Sequence, residues 1–134
     1  MSERPVGLTQ DVGWEVGASR TFPMSLQAAW DLMLSPAGVA IWLGEGVPLP
    51  LETGGRYETA DGTAGEIRSV RPRDRVRLTW RPPDREQEAT LQFALRETPT
   101  GCAIGFHAEH LVSAEDREAV RARLRGVLDR LGSA

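Results

Sequence analysis

The chain has 134 residues, of which 40% are hydrophobic and 26% are charged, and its formal net charge at pH 7 is −3. This length favours a single domain that buries its own core without disulfides or metals, and the acidic balance argues against nucleic acid as a partner. Cys102 is the only cysteine, which excludes an intrachain disulfide and a cysteine-rich zinc site. The sequence contains no lysine, which excludes a phosphate-binding P-loop and Schiff-base chemistry.

The sequence also indicates where the protein works. Its longest apolar run is far shorter than the roughly 18–20 residues that span a bilayer, and the opening MSERPVGLTQ lacks the apolar segment of a secretory signal. We therefore expect a cytoplasmic protein that crosses no membrane, needs no cofactor or metal, and is a monomer or a weak homodimer.

The first element expected is a flexible N-terminal arm over residues 1–12, where proline and glycine occur without hydrophobic periodicity. A single domain is expected to span residues 13–134. Apolar residues alternate with polar or small ones from Trp14 to Phe22, and this alternation predicts the first strand.

Two short helices are predicted after this strand. Ser25 is a suitable N-cap for a helix over 26–34, where apolar residues recur at helical spacing. Ser35-Pro36 combines an N-cap with proline at the first helical position, so a second helix begins there and ends before Gly44.

The middle of the chain, from Gly44 to about residue 110, changes to short strands separated by turns. Apolar residues mark half-buried strands around Tyr57 and over 66–70, 76–80, 91–95 and 102–108. Turn-forming residues stand between them at Asp61-Gly62, Pro82-Pro83-Asp84 and Thr100-Gly101. Strands with hairpin spacing indicate an antiparallel meander with one face in water.

The last element is predicted to be a long amphipathic helix over 114–131, capped by Ser113. One face of this helix carries apolar residues at helical spacing: Val120, Leu124, Val127, Leu128 and Leu131. Because a sheet cannot bury its apolar face alone, this helix is the element available to cover it. We therefore predict an α+β fold in which a curved antiparallel sheet wraps around the C-terminal helix, with a pocket where the two diverge.

A series of short motifs follows this pattern in chain order: Arg20, Phe22-Pro23, Ala29-Trp30, Pro36, Trp42, Gly54-Gly55-Arg56-Tyr57, Gly65-Glu66-Ile67, Pro72 and Leu78-Thr79-Trp80. Their order and spacing resemble the START-like (SRPBCC) superfamily, and within it the bacterial single-domain relatives of the activator of the heat-shock-protein-90 ATPase. The resemblance covers about residues 14–131 and implies a helix-grip fold. Relatives commonly carry Trp where this chain has Leu124, which implies a wider or differently shaped cavity here.

The resemblance, with the apolar wall expected from the pattern, implies a small-molecule binding protein with an aromatic or lipid-like hydrophobic ligand between the sheet and the C-terminal helix. The expected wall consists of Trp42, Tyr57, Ile67, Trp80, Phe93, Phe106, Val120 and Leu124. One alternative is an aromatase/cyclase-like enzyme on a polyketide-type substrate, which needs a buried polar group such as Tyr57, Glu66 or an arginine with a perturbed pKa. Another alternative is a protein-interaction or co-chaperone-like module. No catalytic residue is assigned.

The histidine-rich segment before the last helix has a structural interpretation beside a functional one. His107, Glu109 and His110 resemble a metal-binding cluster. Strand periodicity, however, places His107 and Glu109 on one face and His110 on the other. We therefore predict a solvated face here and no metal site.

Arginine occupies every second position from Arg71 to Arg77. These side chains are predicted to project from one face of the sheet. They then either contact phosphates or an acidic partner, or pair with Glu86 and Glu88 in the next strand region.

Overall fold

A computed structural model describes residues 8–9, 13–46 and 48–133. Its strands are β1 (Leu8–Thr9), β2 (Gly13–Phe22), β3 (Arg56–Glu58), β4 (Ala64–Arg71), β5 (Arg75–Trp80), β6 (Ala89–Thr98) and β7 (Gly101–Leu111). Its helices are α1 (Leu26–Leu34), α2 (Pro36–Trp42) and α3 (Ala114–Gly132). Within the expected N-terminal arm, β1 pairs with the start of β2, while residues 1–7 and 10–12 lie outside the described residues.

The described strands form one seven-stranded antiparallel sheet in the order β1-β2-β7-β6-β5-β4-β3. The strands from β3 to β7 pair consecutively, which confirms the predicted meander. The sheet is completed by a long-range pairing of β2 with β7, from Trp14 opposite Leu111 to Phe22 opposite Cys102. The predicted α+β class, with two short helices after the first long strand, is therefore confirmed.

Serine side chains begin all three helices, as predicted. The hydroxyl oxygens of Ser25, Ser35 and Ser113 accept hydrogen bonds at 3.0 Å from backbone N–H groups three positions later. The turn from α1 into α2 is so tight that a Cβ on Gly38 would lie 1.7 Å from the carbonyl oxygen of Leu32. This connection therefore requires glycine at position 38.

The helix α3 lies against β2, β7 and α2, and the apolar face predicted for it is buried. Two arginines fasten it to β2. Arg117 Nε donates to the carbonyl oxygen of Glu15 at 2.7 Å, and Arg20 donates to the carbonyl oxygen of Leu128 at 3.3 Å. A Cβ built on Gly126, inside α3, meets no atom within 4 Å. The sheet thus wraps around the C-terminal helix, and the helix-grip architecture is confirmed.

The arginines from Arg71 to Arg77 do not lie on one strand, and the prediction of a single face holds for Arg71, Arg75 and Arg77 but not for Arg73. Residues 72–74 form the turn between β4 and β5, and Arg73 in that turn has a left-handed φ of 62°. Arg71 lies opposite Arg75 across the hairpin. The two-residue period of arginine does not mark a single strand, because it continues through the turn between β4 and β5.

The outer face of the sheet carries an ion-pair network. Arg77 forms a salt bridge with Glu109 of β7 at 2.9 Å, instead of the expected pairing with Glu86 or Glu88. His107 lies 3.4 Å from the same carboxylate, on the face predicted for both residues. Burial by itself raises the pKa of Glu109, but the hydrogen bond and charge of Arg77 outweigh it, so the pKa is lowered. Glu109 is therefore an ionised partner of Arg77 at neutral pH.

Candidate ligand-binding site

The predicted pocket residues lie together in one buried apolar cluster, and none of the eight is more than 5% exposed. The ring centroid of Trp42 lies 5.2 Å from that of Phe93 and 6.3 Å from that of Phe106. Trp30 packs on Phe93 as well, at 6.0 Å. The indole N–H of Trp42 donates to the carbonyl oxygen of Met33 at 2.8 Å, so its polar atom is satisfied inside the core.

Two members of this cluster, Trp80 and Val120, also line a cleft of about 300 Å³ between the β5–β6 turn and the N-terminal half of α3. Its other lining residues are Pro82, Asp84, Arg85, Asp116, Ala119 and Arg123. This gap between the sheet and the C-terminal helix is hereafter the Trp80 cleft. Tyr57 lines a different cleft, and neither cleft is lined by Trp42, Ile67, Phe93, Phe106 or Leu124.

An ion pair crosses the Trp80 cleft from the sheet to the helix. Arg85 donates to Asp116 Oδ1 at 2.5 Å, and the N–H of Val112 donates to Asp116 Oδ2 at 2.9 Å. Both side chains of the ion pair are largely buried. Burial by itself raises the pKa of Asp116, but the two hydrogen bonds and the charge of Arg85 outweigh it, so the pKa is lowered. Asp116 is therefore ionised at neutral pH and fixes Arg85.

Two donor atoms at the Trp80 cleft are buried without a hydrogen-bond partner among the described residues: Trp80 Nε1 and Arg85 Nε. A buried donor without a partner costs about 1–3 kcal/mol. The guanidinium carbons of Arg123 and Arg85 lie 5.1 and 5.9 Å from the centroid of the Trp80 ring. These two side chains lie close to an indole that is only 1% exposed.

The second cleft, of about 440 Å³, is lined by Tyr57 and by charged residues of β3, β4 and the segment after β5: Arg56, Glu58, Glu66, Arg81 and Glu88. The Tyr57 hydroxyl donates to the carbonyl oxygen of Thr79 at 2.6 Å. Burial, together with the charge of Glu88, raises the pKa of Tyr57 far above its usual range. The hydroxyl is therefore protonated and already engaged.

Two of the motifs that carry the family resemblance meet at this hydroxyl. A Cβ on Gly65 would lie 1.9 Å from the carbonyl oxygen of Thr79 and 2.7 Å from the hydroxyl oxygen of Tyr57, so only glycine leaves room for the contact. The Thr79 hydroxyl accepts a hydrogen bond from the N–H of Glu66 at 2.9 Å. The Gly-Glu-Ile and Leu-Thr-Trp motifs thus hold β4 against β5.

Arg85, Asp116 and Arg123 are not among the site residues predicted from the sequence. From the sequence alone, Asp116 is identifiable only as a capping residue of α3. The one available signal for Arg123 is its position three residues after Val120, about one helical turn along the same side. Arg85 lies in the turn between two strands and gives no local signal.

Other site types find no support in the part of the chain that the structure describes. Within it, no group of three or more His, Cys, Asp or Glu residues is placed to hold a metal ion. Among the same residues, no helix has the length and apolar character needed to cross a membrane. Cys102 is buried, and this burial raises the pKa of its thiol. It therefore packs as a small apolar residue.

Solved structures of other proteins share this fold. MLL2253 of Mesorhizobium loti superposes with a TM-score of 0.73 at 18% identity, over 89% of this chain and 94% of its own. CalU16 of Micromonospora echinospora superposes with a TM-score of 0.75 at 18% identity, over 88% of this chain and 71% of its own. CV1439 of Chromobacterium violaceum superposes with a TM-score of 0.70 at 18% identity, over 89% of this chain and 94% of its own. At these identities the comparison establishes a common fold and no activity.

No curated protein sequence matches the chain significantly. A family model does match: that of Activator of Hsp90 ATPase homolog 1-like protein aligns with residues 23–134, which is most of the chain. The aligned range includes the motifs from Ala29-Trp30 to Leu78-Thr79-Trp80, and the START-like resemblance is confirmed. The chain therefore belongs to the family of Activator of Hsp90 ATPase homolog 1-like proteins.

Proposed function

We propose that the protein binds a small hydrophobic molecule, aromatic or lipid-like, in the Trp80 cleft between the sheet and α3. The observation that carries the proposal is that Trp80 and Val120, two residues of the apolar wall, line a gap between these two elements. Its volume of about 300 Å³ is at the lower end of the roughly 300–1,000 Å³ found for ligand pockets. The remaining wall residues are in the same buried cluster.

Long side chains, rather than backbone, lie over the apolar wall of this cleft. Arg123 is exposed, and it and Arg85 lie within cation–π distance of the Trp80 ring. Exposed side chains change rotamer in picoseconds to nanoseconds, so a ligand can reach the ring without movement of the sheet or α3. The ligand's apolar part then replaces the alkyl chain of Arg123 on the indole.

The enzymatic alternative, an aromatase/cyclase-like reaction, requires a titratable group that is free to exchange protons inside the site. Tyr57 is the titratable member of the predicted wall, but its hydroxyl donates to Thr79 and its pKa is raised. Asp116, at the Trp80 cleft, is held ionised by Arg85. These observations favour binding over catalysis. The interaction-module alternative keeps three of its four arginines on one face of the sheet, but one of them, Arg77, is already paired with Glu109.

The proposal is tested with N-phenyl-1-naphthylamine, a neutral fluorescent probe that brightens in apolar surroundings. Titration of the purified protein should give saturable binding. Ala119 lines the cleft and is exposed, so Ala119→Trp should fill the gap and weaken probe binding by about tenfold or more. Ala122→Trp is the matched control, because Ala122 is exposed on the same helix and does not line the cleft.

Two results would overturn the proposal. One is the absence of saturable probe binding to the unmodified protein, and the other is equal binding by both tryptophan variants. Thermal unfolding of each variant verifies that it is folded. Native mass spectrometry of protein purified from its own host then identifies the natural ligand by its mass.

We also propose that the protein acts in the cytoplasm as a monomer or weak homodimer without nucleic-acid partners. The net charge of −3 supports the absence of nucleic-acid partners, because binding to phosphate backbones depends on excess positive charge. Sedimentation velocity over a hundredfold concentration range measures the oligomeric state, and a stable higher oligomer would contradict the proposal.

A further inference from the structure

The two buried indole N–H groups of the core differ in a way that points to a ligand. Trp42 Nε1 donates to the carbonyl oxygen of Met33, whereas Trp80 Nε1 has no acceptor among the described residues. Trp80 lines the cleft, and Trp42 does not. Buried donors are nearly always paired in native proteins, with protein, water or ligand. Trp80 Nε1 is itself buried, so an acceptor atom from outside the chain reaches it only when the arginine side chain over the ring moves aside.

The cations of the cleft are not equivalent. Arg85 is bound to Asp116, and the charges of this pair cancel. Arg123 forms no hydrogen bond or salt bridge with the described residues, and its guanidinium lies 5.1 Å from the Trp80 ring centroid. The other carboxylate of the cleft, Asp84, is exposed, so solvent screens its charge. Hydrogen bonds lower the pKa of Asp61 and the charge of Arg123 contributes to this, but Asp61 is exposed as well. Arg123 is thus a cation without a salt-bridge partner among the described residues, beside an unpaired N–H donor.

We propose that the ligand is an amphipathic acid, with an anionic oxygen group bound by Arg123 and the indole N–H of Trp80. This inference rests on the proposed function, since it adds the polar end of a ligand whose apolar part lies on the Trp80 ring. A carboxylate supplies two oxygens with several acceptor positions, which suits an arginine fork and a second donor together. A purely hydrocarbon ligand leaves the indole N–H of Trp80 without an acceptor.

The test compares two probes that share one ring system. 1-Anilinonaphthalene-8-sulfonate carries an anionic oxygen group, and N-phenyl-1-naphthylamine lacks it. The unmodified protein should bind the anionic probe about tenfold more tightly, as expected for a hydrogen bond to a charged group. Arg123→Gln should remove this preference, so that the ratio of the two affinities falls from about tenfold to about one, whatever its effect on the neutral probe.

Arg125→Gln is the matched control, because it removes the same charge from the same helix while Arg125 lines a different cleft. It should change neither affinity. Rising sodium chloride should weaken binding of the anionic probe only, because salt screens its attraction to Arg123.

The outcomes separate this inference from the proposed function. The inference of an anionic group is overturned if both probes bind equally, or if Arg123→Gln and Arg125→Gln affect the anionic probe equally. Neither result contradicts the proposed apolar site. Failure of the neutral probe to bind the unmodified protein overturns the proposed function itself. Arg123 is exposed on a helix, and circular dichroism checks that its variant is folded.

Discussion

The substitution Gly65→Ala tests the contact that joins β4 to β5. The added Cβ would lie 1.9 Å from the Thr79 carbonyl oxygen and 2.7 Å from the Tyr57 hydroxyl oxygen. A backbone carbonyl in a paired strand cannot rotate away, so the strands must separate and the 2.6 Å hydrogen bond from Tyr57 is lost. Overpacking costs about 1–3 kcal/mol and a lost hydrogen bond about 1 kcal/mol. We therefore expect the free energy of unfolding to fall by about 2–4 kcal/mol.

Gly126→Ala is the matched control with the opposite expected sign. A Cβ at this position in α3 meets nothing within 4 Å, so only the conformational entropy of glycine is removed. The free energy of unfolding should rise by about 0.5–1 kcal/mol. Urea unfolding followed by tryptophan fluorescence measures both changes, provided that the m-value is unchanged. A Gly65→Ala protein within about 1 kcal/mol of the original would refute the geometry described for Tyr57 and Thr79.

Two further predictions concern α3. The pKa of Asp116 is lowered in the folded protein, so its stabilising contribution is complete above the unfolded value near pH 4 and is lost as the pH falls through the folded pKa. The difference in unfolding free energy between the original protein and Asp116→Asn should therefore shrink between pH 7 and pH 3, and a constant difference in urea titrations would contradict this. Leu124 is only 2% exposed, so Leu124→Trp should lower the free energy of unfolding by about 1–3 kcal/mol. A neutral effect on thermal unfolding, with weaker probe binding, would instead show open space beside Leu124.

Much of the fold is predictable because its periodicity is local. The alternation over 76–80 and 91–95 identifies strands whose inward residues are buried, and the helical stripe over 114–131 identifies α3. In the run from Arg71 to Arg77 the period predicts the common face of three arginines correctly and misplaces Arg73, which lies in a turn. Its turn contains Pro72 and Asp74, which favour turns, whereas Arg73 has a positive φ, where glycine or asparagine is the usual residue.

The candidate site is less predictable because its polar half is assembled from distant segments. Arg85 comes from a loop, and Arg123 and Asp116 come from a helix more than 30 positions later. Nothing in the local sequence indicates that these residues converge on Trp80. The apolar half of the site is easier to predict, since each wall residue is identified by the inward face of its own strand or helix. That these eight residues contact a ligand stays a prediction.

The pairing of β2 with β7 has a consequence for the timing of folding. Phe22 lies opposite Cys102, about 80 positions later, so β2 leaves the ribosome long before its partner strand exists. At about 5–20 residues per second, β2 waits roughly 4–16 s for β7, and α3 follows later still. During this interval the apolar side chains of β2 and one row of its backbone groups have no native partner. The sheet and its helix therefore come together only after β7 and α3 have been synthesised.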